Sequence, residues 1–167
     1  MLDCLSIIQR YYTPGNDDYR VLVLHSRQVA DLAVKLSQRL IDKGTPIDIE
    51  FVEEAAMLHD IGIFRCDAPS IHCHGTEPYI KHGPIGADIL RQEGFPRHAR
   101  VAERHTGTGL PGLEPETLEE QIVCYADKFY SKSQPDHVRT VLETAQSLEK
   151  FGHAGVEKFL AWAKIFE

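Results

Sequence analysis

No apolar run approaches the roughly 20 residues that a membrane-spanning helix requires, so no span is expected. The opening segment, MLDCLSIIQRYY, carries an acid at Asp3 and has neither a basic leader nor a small-residue cleavage pattern. A secretory signal is therefore not expected, and a cytoplasmic location is. The cysteines are few: Cys4, Cys66, Cys73 and Cys124 form no C-x-x-C pair. This argues against a zinc ribbon and a disulfide framework and leaves reduced thiols. Basic excess is also missing. With 18 Lys and Arg against 25 Asp and Glu, the formal charge is −7, and the cations are scattered. Long duplex nucleic acid is therefore not expected as a partner, because that binding depends on many cationic contacts to phosphate. Sustained period-two alternation is absent, so strands are minor at most.

What is present is helical periodicity in a chain of 167 residues, a length that suits one domain over 1–167. The expected class is all-α. The clearest helix runs from Tyr19 to Lys43, with Val21, His25, Val29, Leu32, Leu36 and Leu40 on one face, and stops at Gly44. Thr45-Pro46-Ile47-Asp48 reads as the start of a second helix that carries Ile49, Val52, Ala56 and His59 and is closed by Gly62. Arg65 to His82 lacks helical spacing and reads as a loop over or beside a site, with His72-Cys73-His74 as a lid. Pro84 and Pro96 start two short helices that end near Glu93 and His105, the second at the break Thr106-Gly107-Thr108-Gly109. Thr117-Leu118-Glu119-Glu120 is a capping box for the helix that carries Asp127. Two C-terminal helices within 137–166 are expected to bury Val141, Leu142, Ala145 and Leu148, then Phe159, Leu160 and Ala163. Trp162, Phe159 and Phe166 belong to the core or to an oligomer contact.

Nine histidines are present, and their positions matter more than their number. His25, His59, Asp60, His105 and Asp127 sit on or next to apolar faces. A carboxylate buried beside Val123 and Ala126 costs several kcal/mol unless a cation or donor offsets it. Neighbours such as His59 and Asp60 diverge by about 100° in mid-helix and converge on one ion only where the helix ends. Imidazoles mixed with carboxylates suit iron, manganese, nickel, cobalt or zinc.

The order His25, His59-Asp60-Ile61-Gly62, Asp127 resembles the H…HD…D signature of the HD superfamily of phosphohydrolases, in its small HDIG form, over roughly residues 24–129. The resemblance implies a helical bundle and a first metal held by His25, His59, Asp60 and Asp127. Asp60 would bridge to a second metal that takes His82 and His105, giving two divalent transition-metal ions. It further implies hydrolysis of a P–O bond in a small phosphorylated substrate, a nucleotide above all, by metal-activated water. Arg104, Lys128, Lys81 and Arg65 are cations placed to meet phosphate, and Asp60, Arg104 and Lys128 form the catalytic set. No GYP triplet occurs, and Ile63 stands where some dinuclear members carry Lys. Two other classes stay open: a di-iron oxygenase of HD type, and a non-catalytic metal-containing module that binds a ligand.

Overall fold

The computed structural model describes residues 1–107 and 111–167. A short helix α1 (Cys4–Ile8), for which the sequence reading made no prediction, is capped by Asp3, whose carboxylate accepts from Ser6 N–H at 3.1 Å. Next comes α2 (Asp17–Asp42), the longest helix, which buries His25, Val29, Leu36 and Leu40 as the periodicity predicts. Its stop is conformational. Gly44 sits at φ +95, in the left-handed region that a glycine enters without penalty.

Helix α3 (Ile49–Leu58) starts later than expected. Asp48, not Thr45, is the cap, accepting from Phe51 N–H at 3.2 Å. Gly62 also has a different role from the predicted helix stop, because its φ is −84. A Cβ on it would lie 2.5 Å from the His82 carbonyl oxygen and 2.6 Å from Gly86 N. Glycine is required there because the turn after α3 presses on the backbone of α4 (His82–Gln92). His82 is the first residue of α4 and does not precede it.

Pro96 opens α5 (Pro96–Arg104), and the capping box of Thr117 with Glu120 opens α6 (Leu118–Asp127) as expected. The Gly-rich break expected at 106–109 falls partly on residues 108–110, outside the described residues. Two helices follow, α7 (Val141–Leu148) and α8 (His153–Phe166). Leu142 and Leu160 are exposed, contrary to expectation. Thr144 and Trp162, each two residues further on, are buried instead on the faces that meet the core. Phe159 and Phe166 pack on Tyr125, with ring centroids 5.0 and 5.3 Å away, so the C-terminal aromatics belong to the core.

Among the described residues, strands are confined to two small antiparallel pairs. Strands β1 (Asp67–Ala68) and β2 (Cys73–His74) pin the segment read as a loop, and β3 (Tyr130–Ser131) and β4 (Gln134–Val138) form a hairpin after α6. The fold class is thus all-α with minor strands. Helix α2 lies along α3 and α6, α3 also meets α5, and α4 pairs with α5. Between them Leu36, Val52, Leu58 and Ile122 are fully buried, each stabilising by about 1.5–3 kcal/mol relative to exposure. The packing brings the middle of α2 and the C-terminal ends of α3, α5 and α6 to one place.

Candidate metal centre

At that place stand all six of the expected ligands. His25 comes from the buried face of α2, and His59 and Asp60 follow the last turn of α3. His82 opens α4, His105 caps the end of α5, and Asp127 ends α6. Five of them, all but Asp127, are buried, and Asp60 is 0% exposed. Asp127, 17% exposed at its side chain, reaches the cleft above.

The donor atoms fall into two groups that share Asp60. Asp60 Oδ2 lies 3.2 Å from both His25 Nε2 and His59 Nε2, and Asp127 Oδ1 lies 2.8 and 3.2 Å from the same nitrogens. Asp60 Oδ1 lies 3.2 Å from both His82 Nε2 and His105 Nε2, which are 3.0 Å from each other.

Tautomers decide what these distances mean. The Nδ1 atoms of His59, His82 and His105 lie 2.5, 2.5 and 2.6 Å from the carbonyl oxygens of Ala56, Tyr79 and Ala102. Each Nδ1 therefore carries a proton and donates it to the backbone, so in the neutral rings each Nε2 presents a lone pair to the centre. Two lone pairs at 3.0 Å repel, as do lone pairs beside carboxylates. Neither oxygen of Asp60 is met with ordinary hydrogen-bond geometry, and His25 Nδ1 is buried without a partner among the described residues. An ion offsets this repulsion. Bonds of about 2.0–2.2 Å from one ion place neighbouring N and O ligands roughly 3.0–3.5 Å apart, close to the spacing seen here. The residues fit a transition-metal centre, and the Nδ1 bonds supply the orientation that ligating histidines need.

Without an ion, the group interacts strongly through its protons. Burial opposes charge on His59, but the carboxylates of Asp60 and Asp127 outweigh it and raise its pKa to about 10. Burial lowers His105 to about 4, with Asp60 opposing. Burial also works against ionised Asp60 and Asp127. Even so, the charges and hydrogen bonds of their neighbours hold both well below the usual carboxylate range.

Lys132 joins the centre without having been expected from the sequence. It occupies the turn between β3 and β4, is 11% exposed at its side chain, and puts Nζ 2.9 Å from Asp60 Oδ2. A cleft of about 310 Å³ opens on the centre, walled by Tyr79, His82, His105, Asp127, Lys128 and Lys132, with Arg139 and Lys150 beyond. Tyr79 stacks on His82 at 4.3 Å between centroids. The cleft is cationic in a chain of net charge −7.

The cations expected from sequence are placed differently. Lys128 lines the cleft, but its ammonium donates to the carbonyls of Thr106 and Cys124 at 3.1 and 3.3 Å. Arg104 is paired with Glu116 at 3.2 Å and donates to the Glu114 carbonyl at 2.8 Å, and it is absent from the cleft walls. Being next to His105 in sequence turned it onto another face of the helix. Lys81 is exposed beside Glu77, and Arg65 lies over the Phe64 ring. His72 and His74 are exposed near Asp17, while Cys73 is buried. Those two histidines do not face the centre, so the segment is not a lid over it.

The HD domain family model matches residues 22–131. An uncharacterised protein of Methanocaldococcus jannaschii is 32% identical over 152 residues, which cover 83% of this chain and 83% of that protein. A tRNA (cytidine(56)-2'-O)-methyltransferase of Thermoplasma volcanium is 34% identical over 141 residues, 77% of this chain and 36% of the relative. The chain thus spans about a third of that enzyme. Among solved structures, the HD domain of the L. monocytogenes phosphodiesterase PgpH has a TM-score of 0.60 at 18% identity, over 90% of this chain and 82% of that one, a likeness of fold. No helix among the described residues is long and apolar enough to cross a membrane.

Proposed function

The chain belongs to the HD domain family, and from that premise we propose that it is a phosphohydrolase that cleaves a P–O bond of a small phosphate ester, a nucleotide above all, at a dinuclear centre. The observation that carries this reading is the convergence of four histidine Nε2 atoms on the two oxygens of one buried carboxylate, Asp60. His25, His59, Asp60 and Asp127 would hold one ion, and Asp60, His82 and His105 the other. Ions such as iron or manganese would acidify water and neutralise the oxygens of the phosphoryl group.

The chain's own groups then bind and orient the ester. Lys132, at the edge of the centre and open to the cleft, is placed to meet a non-bridging phosphate oxygen. Arg139 lies further along the same wall, its guanidinium held by the Lys128 carbonyl at 3.1 Å. Lys128 adds positive charge and ties the residue after His105 to α6 through the Thr106 carbonyl. Arg104 has no part in this assignment.

The test is a panel of phosphate esters, assayed under anaerobic conditions after loading with manganese or iron. We expect turnover with either metal and none in Asp60→Ala, with helix content retained in the variant. Turnover that needs oxygen would favour the oxygenase chemistry. Metal binding without turnover on any ester would leave a ligand-binding module.

A further inference from the structure

The turn that follows His59 and Asp60 is held by a residue from outside the HD match, which begins at residue 22. Tyr12 lies in the segment between α1 and α2 and is 3% exposed. Its hydroxyl donates to the Ile61 carbonyl at 2.8 Å and accepts from the Phe64 N–H at 3.1 Å. Those two backbone groups bracket Gly62 and Ile63, directly after Asp60. Groups three residues apart can bond to each other in a 3₁₀ turn. Here the Tyr12 hydroxyl stands between them and sets their separation. Burial raises the pKa of the phenol, so the hydroxyl keeps the proton that it donates. The ring meets Phe64 edge-on, with centroids 5.1 Å apart.

The rest of the segment is fastened to the two helices that this turn presses together. Leu2 N–H donates to the Glu54 carboxylate of α3 at 2.8 Å, and Ile7 and Ile8 are buried. The Tyr11 hydroxyl donates to Glu93, just beyond α4, at 2.6 Å, and Arg10 pairs with the same carboxylate. His59 and Asp60 follow α3, and His82 opens α4. The N-terminal segment thus braces three of the six candidate ligands without supplying one.

We propose that Tyr12 is a positioning residue for the metal centre: through its hydroxyl the N-terminal segment fixes the turn behind His59 and Asp60 and so sets the affinity for both ions. Asp60 belongs to both donor groups, so a small rotation of the turn reaches both at once. The coupling is reciprocal, because ions at the centre hold the segment down by the factor by which the docked segment tightens them. The inference rests on the metal-holding part of the phosphohydrolase reading and not on the reaction.

The test titrates cobalt(II) into the full chain against a competing chelator and records the visible spectrum of the bound ion. Tyr12→Phe keeps the ring and removes only the hydroxyl. We expect cobalt to bind about 10–100-fold more weakly, the scale for losing a group that orients a metal ligand. The absorption bands should shift as well, because they follow the placement of Asp60 and His59 around the ion. Tyr11→Phe is the control: it removes the bond to Glu93 in the same segment and should lower Tm with affinity and spectrum unchanged. Hydrogen exchange on the wild type needs no variant and decides the matter if Tyr12→Phe does not fold. Cobalt should slow amide exchange across residues 4–12, which hold no ligand, by a factor similar to the affinity loss. Unaltered exchange there overturns the proposal. A Tyr12→Phe protein of lower Tm that binds cobalt as tightly as wild type, with the same spectrum, also overturns it and leaves the metal centre standing. Wild type that takes up no cobalt overturns the metal centre and the proposal together.

Discussion

Lys132 Nζ lies 2.9 Å from Asp60 Oδ2, the oxygen that faces His25 and His59, while Oδ1 faces His82 and His105. Asp60 therefore meets a full positive charge on one side only. Burial opposes the charge on Lys132, and Asp60, Tyr79 and Asp127 more than offset it, so its pKa is held above that of an ordinary lysine. Lys132 is ionised at every pH at which the protein would work.

If Lys132 meets phosphate, Lys132→Met should lower kcat/KM by about 10²–10³-fold, the scale for loss of one preorganised electrostatic donor. Metal content should stay unchanged. Elemental analysis beside steady-state kinetics checks this, and a variant that loses metal in proportion to its activity would assign Lys132 to holding the centre.

His105→Ala should lower bound metal by about one ion per chain, because its Nε2 belongs only to the group formed with His82 and Asp60. Elemental analysis of wild type and variant checks this directly. An unchanged ratio would remove His105 from the ligand set.

The proton on His59 gives a dependence on pH. Without an ion, its folded pKa of about 10 exceeds the ordinary imidazole value of 6.5, so its contribution to stability is complete below 6.5 and is lost as pH rises towards 10. A bound ion takes the Nε2 lone pair and removes that proton from the folded state. The rise in Tm on adding manganese should therefore grow steadily from pH 6.5 to 9.5. Differential scanning fluorimetry with and without chelator measures it, and a constant increment would count against His59 as a ligand.

Gly62→Ala should destabilise by about 1–3 kcal/mol or more, as overpacking does where backbone meets backbone. The new methyl would press on the His82 carbonyl, so loss of metal should accompany the fall in Tm. Gly94→Ala is the control for strain alone. Gly94 has φ +92 and open space around its Cβ position, so metal content should hold there.

The six candidate ligands, which the structure brings together, were legible in the sequence because polar residues interrupt apolar periodicity at helix ends, and the HDIG spelling marks one of those ends. Lys132 was not, because the strands around it are too short to alternate and a lysine between two serines resembles any surface turn. Its one signal was its position, shortly after the helix that delivers Asp127. Arg104 shows the opposite case. Adjacency in sequence to a ligand places a side chain about 100° away on a helix, where other partners claim it. The same rotation separates exposed Leu142 from its neighbour Val141, which packs on the core, and Asp48 rather than Thr45 caps α3 because the deciding hydrogen bond forms there.

All four cysteines are buried free thiols, so no covalent cross-link closes this chain on itself. Yet His25 and Asp127 meet at 2.8 Å although 102 residues separate them. Ions bound at the centre would act as a removable multi-way staple across α2, α3, α4, α5 and α6. Closing so long a loop in the unfolded chain costs entropy that grows only slowly with its length, and much of the binding energy would return as resistance to unfolding. Metal supply would then set both the catalytic competence of the protein and its persistence against proteolysis.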